Sequence, residues 1–563
     1  MSSTQPQDDL PAWIDRTVAH RAVSGRDPRY DGSLYLGVTS TGVYCRPSCP
    51  ARTPRPENCQ YYRSAAAAVA AGFRACRRCR PDALPGSREW DARADLAAQA
   101  LRAIGLGVVD EVGVEGLADR LHVSARHLQR VVVAEVGAGP AQIARSRRAQ
   151  LARHLLDETT LSMADVAFAA GFASVRQFND VMRATFGATP RELRAARRGR
   201  AGRGHAGPSA GIRAGTDVLD GDAGSRPPVE RAHLALHLRH RPPFDAASWF
   251  AHVERRAVPG LESAAATAAE LRVERLVPAS HGLARATVRL TPDGSRVDVE
   301  LELASLADLA PTVARVRRWL DLDADPALVA GVLAEDPDLV PLVAARPGLR
   351  VPGTVDGYEL AIRAVLGQQV SVAAARTLTA RLVEAHGEPG PGGLRAFPRP
   401  EVLVAVGVEG VQALGLTGSR ATTVVALAQA VEDGLHLDSA ADRQRTRAAL
   451  LALPGIGAWT TEYIALRALG DPDAFPDGDL ILRRAVGRYA PPAGPGAANA
   501  GGVAVGRAAG SGARAIGGSA DAASTARETR DRSQAWRPWR GYAAQHLWTA
   551  IAADPDAGTP TTP

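Results

Sequence analysis

Lysine is absent from the chain, so all 67 basic residues are arginine. No chemistry that needs a side-chain amine as nucleophile is therefore open to this protein. Cysteine is nearly as scarce, five in 563 residues, which excludes a disulfide scaffold. Aromatic residues make up only 5% of the chain, so any cluster of them is conspicuous. No run is apolar enough to span a bilayer, and the opening MSSTQPQDDLPAW is polar and acidic rather than signal-like. No membrane partner is expected, and the location expected is cytoplasmic. A chain of this length is too long for one core, which predicts several domains.

Arginine is in excess, and unevenly placed. Residues 1–200 carry 29 arginines against 20 acidic residues (+9); the remainder carries 38 against 40 (−2). A basic front end suggests a polyanionic partner. Within it, Cys45-x3-Cys49 and Cys76-x2-Cys79 have the spacing of a tetrahedral thiolate zinc site, and spacing alone favours a closed structural staple. Four thiolates on one Zn²⁺ nevertheless leave a formal charge of about −2 and a sulfur that stays nucleophilic. Such a sulfur can attack an electrophilic methyl group if it reaches solvent. Arg46, Arg52, Arg55, Arg77, Arg78 and Arg80 lie nearby in sequence and suit a phosphate backbone.

The wording STGVYCRPSCPAR and AGFRACRRCRPD resembles the N-terminal domain of the Ada-type adaptive-response proteins. The resemblance implies that Cys45 takes a methyl group irreversibly from a methylphosphotriester in DNA, and that Cys45, Cys49, Cys76 and Cys79 hold one zinc ion. It also implies that Thr41 and Arg52 contact DNA. Methylation would turn a thiolate into a thioether and relieve about one unit of negative charge facing the DNA backbone, an electrostatic switch. Cys59 matches no ligand position and is expected to be a spare thiol. Ada-type proteins commonly carry a further domain that repairs O6-methylguanine through a Pro-Cys-His-Arg cysteine. No cysteine follows Cys79 here, so that activity is not expected.

Residues 88–198 read as all helix, with two helix–turn–helix patterns: Val114 to Leu121 with Ala125 to Val136, and Met163 to Ala170 with Ser174 to Phe186. The stretch LSMADVAFAAGFASVRQFNDVMRATFGATPREL resembles the second half of an AraC-type DNA-binding domain, which implies promoter binding and, for an activator, contact with RNA polymerase. Residues 199–229 lack apolar periodicity and are expected to form a flexible linker. Beyond them, alternation in AHLALHLRH, ATVRLTPDG and RVDVELEL predicts strands, with a hairpin at Asp293-Gly294 and a helix from Ala307 to Leu320. No acid–base constellation is visible there, so a packing role is expected.

Near the C-terminus, a helical run breaks at Pro454-Gly455-Ile456-Gly457 and resumes at Ala458, with Trp459 and Tyr463 four apart on one helical face. Glycines flanking one isoleucine make a helix–hairpin–helix, whose free N–H groups suit a phosphate oxygen. Asp479 stands where a helix N-cap would be, and a cap is one reading of it. LPGIGAWTTEYIALRALGDPDAFPDGDLILRRAV, with residues 355–388 and 536–548, resembles the AlkA-type 3-methyladenine DNA glycosylases of the helix–hairpin–helix superfamily. That resemblance implies that Asp479 is catalytic, that Trp459, Tyr463 and Trp548 line the pocket for a damaged base, and that Gly455 and Gly457 grip the backbone. Gln369 takes the place of the wedge that fills the gap left by a flipped nucleotide. An aromatic residue of the family near the position of His252 is replaced by histidine. Lyase relatives carry a lysine where Trp459 stands, so base removal is expected to leave an intact abasic strand and to need no cofactor.

The sequence thus predicts a multidomain α+β protein. Its parts are a small zinc-bound domain (10–85), an all-α AraC-type double helix–turn–helix (88–198), a linker (199–229), an α+β AlkA-like N-terminal domain (230–347) and an all-α helix–hairpin–helix glycosylase domain (348–555), the last carrying a disordered insertion at about 491–527. The expected function is repair of and response to DNA alkylation, as a monofunctional glycosylase, methyl acceptor and transcriptional activator. The alternatives are a regulator whose glycosylase part only grips DNA, and a repair enzyme with a purely structural zinc. Expected partners are double-stranded DNA, alkylated and promoter, for a nucleoid-associated monomer.

Overall fold

The computed structural model describes residues 15–26, 34–49, 51–76, 78–79, 81, 92–201, 231–490 and 524–554. Most of the expected linker, residues 491–523 of the expected insertion, and Arg77 and Arg80 lie outside the described residues. The chain forms two compact units, residues 1–100 with 126–139, and residues 101–125 with 140–563. The division runs through the span 88–198 that sequence reading treats as one helical domain.

In the first unit, β1 (Tyr35–Val38), β2 (Val43–Cys45), β3 (Cys59–Tyr62) and β4 (Arg74–Ala75) form a sheet of order β3-β1-β2-β4, antiparallel except for β2 against β4. Side chains alternate across it. Leu36, Val38 and Tyr61 pack on helix Arg16–Ser24 through Ala19, Ala22 and Val23. Tyr35, Tyr44 and Tyr62 face the other way, with Ala68 and Phe73. Cys59 belongs to the first of these cores, 1% exposed, so the spare thiol is a packing residue.

The second unit contains helices Met163–Ala169 and Val175–Phe186, the second helix–turn–helix pair. Ser174 caps the latter by accepting from Gln177 N, and Gln177 Oε1 accepts from Ala173 N. An antiparallel sheet follows, ordered β5-β9-β8-β7-β6, from β5 (Ala232–His237), β6 (Glu262–Ala266), β7 (Leu271–Ala279), β8 (Gly282–Leu290) and β9 (Val297–Leu303). Val297, Val299, Leu301 and Leu303 alternate inward on β9, and helices Ala246–Glu254 and Leu309–Trp319 cover that face, with Trp249 edge-on to Trp319 at 5.1 Å. The remaining helices, from Gly357–Leu366 to Ala458–Arg467, enclose an aliphatic core around Ile362, Val365, Leu427 and Ile464. Helices Leu480–Tyr489 and Arg540–Ala553 close a second core with Leu482, Val486 and Leu547 around the fully buried Trp536. Among the described residues no helix is long and apolar enough to cross a membrane.

Candidate active site and metal centre

The second unit holds a cavity of about 530 Å³ into which Trp459, Tyr463, Asp479 and Trp548 all project. Trp459 and Tyr463, one turn apart on helix Ala458–Arg467, stack with ring centroids 5.6 Å apart and planes at 19°. Trp548 arrives from helix Arg540–Ala553, some seventy positions from Asp479 in sequence. Asp479 is a helix N-cap, accepting from Leu482 N at 2.7 Å, and it also lines the cavity. Two indoles fix its carboxylate: Trp459 Nε1 donates to Oδ2 at 2.9 Å and Trp548 Nε1 to Oδ1 at 3.1 Å. An ionised carboxylate has about four lone-pair directions. Among the described residues three are taken, which leaves one on Oδ2 for a water or a sugar.

The hairpin lies between helices Arg443–Leu451 and Ala458–Arg467. Ile456 is buried and anchors it, while Pro454, Gly455, Gly457 and Ala458 are exposed. Gly455 has φ +77, and a methyl group there would meet Thr423 Oγ1 at 2.1 Å, so the position admits only glycine. Gly457 has open space around it and precedes the first free N–H groups of the helix. Gln368 ties this turn to the loop after helix Gly357–Leu366, its Nε2 donating to Gly455 O (3.0 Å) and Thr460 Oγ1 (2.9 Å). The adjoining Gln369 is exposed and left-handed, φ +54. Gln369 thus stands free on a loop whose neighbour is pinned to the hairpin.

The α+β part, for which a packing role is expected, also forms one wall of the cavity. His252, Arg256, Glu262, Arg275 and Trp319 all line it. Glu262 and Arg275 join Glu359 and Arg363 in a buried quartet: Arg275–Glu262 3.1 Å, Arg275–Glu359 2.5 Å, Arg363–Glu262 2.9 Å and Arg363–Glu359 2.8 Å. Burial alone would raise the Glu359 carboxyl, but Arg275 and Arg363 hold it below the ordinary range. Burial, reinforced by Arg256, pushes His252 well below the ordinary imidazole value, leaving it neutral. Arg467 lies over the rings of Tyr463 (5.4 Å) and Trp548 (5.6 Å). Despite burial, Arg467 and Arg256 draw the Tyr463 phenol below its usual value. Sequence reading assigned none of these arginines a role, since nothing local marks a side chain that joins Asp479 in lining a cavity.

In the first unit, Cys45 at the end of β2, Cys49 in the following loop, and Cys76 and Cys79 after β4 bring four sulfurs within 4.8 Å of one another. Cys45, Cys49 and Cys79 are buried and Cys76 is half-buried. Without a cation this cluster cannot hold four thiolates: the hydrogen bond from Cys45 helps lower Cys49 to about 2, while bonding to Cys49 pushes Cys45 far up. A thiophilic divalent ion at the centre relieves that crowding, so the donor set fits zinc. Thr41 is exposed in the turn between β1 and β2, and Arg52 is exposed in the loop beyond Cys49.

Residues 19–82 match the metal binding domain of Ada and 117–196 a helix-turn-helix domain. Residues 235–356 match the AlkA N-terminal domain, and 362–496 the HhH-GPD superfamily of base excision DNA repair proteins. A Mycobacterium tuberculosis protein described as a probable bifunctional transcriptional activator/DNA repair enzyme AlkA is 43% identical over 537 residues, 94% of this chain and 96% of its own. DNA-3-methyladenine glycosylase 2 of Escherichia coli is 32% identical over 57% of this chain and 98% of its own length. The Escherichia coli bifunctional transcriptional activator/DNA repair enzyme Ada is 33% identical over 31% of this chain and 48% of its own. The four-cysteine cluster is accordingly a zinc site of the Ada kind. With an Ada metal-binding domain, a helix-turn-helix domain and an AlkA glycosylase in one polypeptide, the chain belongs to the family of bifunctional transcriptional activator/DNA repair proteins that the Mycobacterium tuberculosis relative represents.

Proposed function

We propose that this protein repairs and responds to DNA alkylation, and that its second unit is a monofunctional glycosylase hydrolysing the N-glycosidic bond of alkylated bases of the 3-methyladenine type. The observation that carries this reading is the Asp479 carboxylate, held by two indole N–H groups in an aromatic cavity large enough for a base. A base in a duplex must be rotated out before its bond to the sugar can be reached. The hairpin amides of Gly455 and Gly457 grip the backbone, and Gln369 fills the vacated stack. Trp459, Tyr463 and Trp548 wall the extruded base, and an alkylated cationic base is already a good leaving group. As it departs with the bonding electron pair, the fixed charge of Asp479 stabilises the sugar cation, and water adds to the anomeric carbon and sheds a proton. With no lysine present, the strand stays intact.

The first unit acts as the methyl acceptor. Bound zinc keeps the ligand sulfurs as thiolates. The Cys45 sulfur attacks the methyl carbon of a methylphosphotriester, an S–C bond forms, and the C–O electron pair stays on the phosphate as a phosphodiester anion. Thr41 and Arg52 contact the DNA. The helix-turn-helix region binds promoter DNA and engages RNA polymerase, in a cytoplasmic, nucleoid-associated monomer. The domain limits we propose are those of the sequence reading: 10–85, 88–198, 230–347 and 348–555.

Base release from methylated DNA tests the glycosylase. Asn caps helices as well as Asp, so Asp479→Asn is expected to fold normally yet lose at least ~100-fold in single-turnover rate. Equal rates would leave the cavity a DNA-gripping module without chemistry. Intact-mass measurement after exposure to methylphosphotriester DNA tests the acceptor: one methyl is expected on the unaltered chain and none on Cys45→Ser. An unmodified wild-type mass would make the zinc purely structural.

A further inference from the structure

Six arginines line the cavity, three from the α+β part (Arg255, Arg256 and Arg275) and three from the helices that follow (Arg363, Arg376 and Arg467), and their surroundings differ. Arg275 and Arg363 are neutralised by Glu262 and Glu359. Arg467 is 3% exposed and anchored, donating to Pro352 O at 2.8 Å and Gln545 Oε1 at 2.9 Å, with its planar group against Tyr463 and Trp548. Arg255 is exposed and donates to Ala251 O at 3.2 Å, and Arg376 donates to Ala257 O at 2.7 Å, which leaves Arg256. Among the described residues its guanidinium makes one hydrogen bond, to His252 O at 3.2 Å, and no ion pair. Burial lowers its guanidinium only to about 10, so it is charged at neutral pH, and Tyr463 is close enough to feel that charge. A guanidinium has five N–H donors and no acceptor. Its neighbour His252 is neutral and the quartet carboxylates are already bonded, so Arg256 brings to the cavity wall buried cationic N–H groups that the described residues leave unspent.

A cavity lined this way discriminates by the edge of the base rather than by its charge. Two N-alkylated purines of equal charge suffer the same repulsion from Arg256, so that contribution cancels between them. They differ at the six-position, where a guanine-type base offers a carbonyl oxygen and an adenine-type base an amino group. The carbonyl accepts a charge-assisted hydrogen bond; the amino group sets donor against donor. We propose that Arg256 is a specificity-determining residue of the base cavity, donating to the six-oxygen of an extruded oxopurine and so favouring carbonyl-bearing over amino-bearing purines. This rests on the glycosylase reading given above.

DNA methylated on its purines carries 7-methylguanine and 3-methyladenine together, so both released bases can be quantified from one reaction. Arg256→Gln is expected to lower the ratio of the two release rates, 7-methylguanine over 3-methyladenine, by at least about tenfold. A purely structural loss would depress both and leave the ratio where it was, and an unchanged ratio overturns the proposal. A second measurement uses only the unaltered chain, with the free bases hypoxanthine and adenine as competitive inhibitors of release. Hypoxanthine is expected to inhibit at a concentration at least about tenfold lower than adenine, and equal or reversed potency overturns the assignment. Release of neither methylated base by the unaltered chain would instead remove the glycosylase reading on which the inference stands.

Discussion

Asp479 carries two structural duties that sequence alone presents as alternatives. It caps helix Leu480–Tyr489 through Oδ1 and faces the cavity through Oδ2, so the cap is what aims the free lone pair. The indole of Trp548 contributes a ring to the wall and an N–H to this carboxylate, and the two can be separated. Trp548→Phe keeps an aromatic face and deletes the donor. Hydrogen bonds to charged groups are worth ~1.5–3 kcal/mol, so the single-turnover rate of base release is expected to fall about tenfold or more while the melting temperature stays nearly constant. A loss seen instead only in substrate affinity would mean that the ring, not its N–H, is what matters.

At the scale of elements, the hairpin sets two glycines two residues apart under different constraints. A methyl at Gly455 would collide with Thr423 Oγ1 and sit at φ +77, whereas one at Gly457 meets nothing within 4 Å. Gly455→Ala is expected to lose ~1–3 kcal/mol of stability together with most of its DNA affinity, and Gly457→Ala to melt like the unaltered protein. Thermal denaturation with a DNA-binding titration distinguishes them. The hairpin was legible in sequence because its signal is local: glycine, isoleucine, glycine between two apolar periodicities. Strands β5, β8 and β9 were legible for the same reason, through alternation. β6 was not, since Glu262–Ala266 is mostly alanine and shows no period, and β7 was hidden by Glu274 and Arg275, charged residues that read as solvent-facing but are buried. Arg275 is buried because Glu262 and Glu359 neutralise it, a relation that joins residues far apart in sequence. The four cysteines and the Trp459–Tyr463 pair announced themselves by spacing; Arg256, His252 and Trp319 had no spacing to announce.

For the whole molecule, the Arg–Glu quartet governs behaviour in acid. The Glu359 carboxyl lies below its ordinary value, so its stabilising contribution is complete above the unfolded value of about 4.3 and is lost as pH falls through the lower folded value. Asp471 behaves alike: burial alone would raise it, but Arg443 and Arg447 hold it low. Burial also depresses the imidazoles of His252 and His546, which favours the unfolded chain below its histidine value of about 6.5. Melting temperature is therefore expected to begin falling below about pH 6.5 and to fall further below about pH 4 as the carboxylates protonate. Glu359→Gln is expected to start ~3–5 kcal/mol less stable, because an uncompensated buried guanidinium remains, and to show a shallower acid limb. An identical acid limb in the variant would assign the acid loss to other carboxylates.

The same quartet draws two carboxylate–guanidinium partners from either side of residue 348: Glu262 and Arg275 from the sheet, Glu359 and Arg363 from the first helix that follows. Cutting the chain there would leave each fragment with one acid and one base stripped of half their neighbours, and would carry off the wall bearing His252 and Arg256. The two stretches that meet at residue 348 are for that reason expected to hold together better than apart, and a graft of the helical portion alone to need the matching acid and base of the sheet.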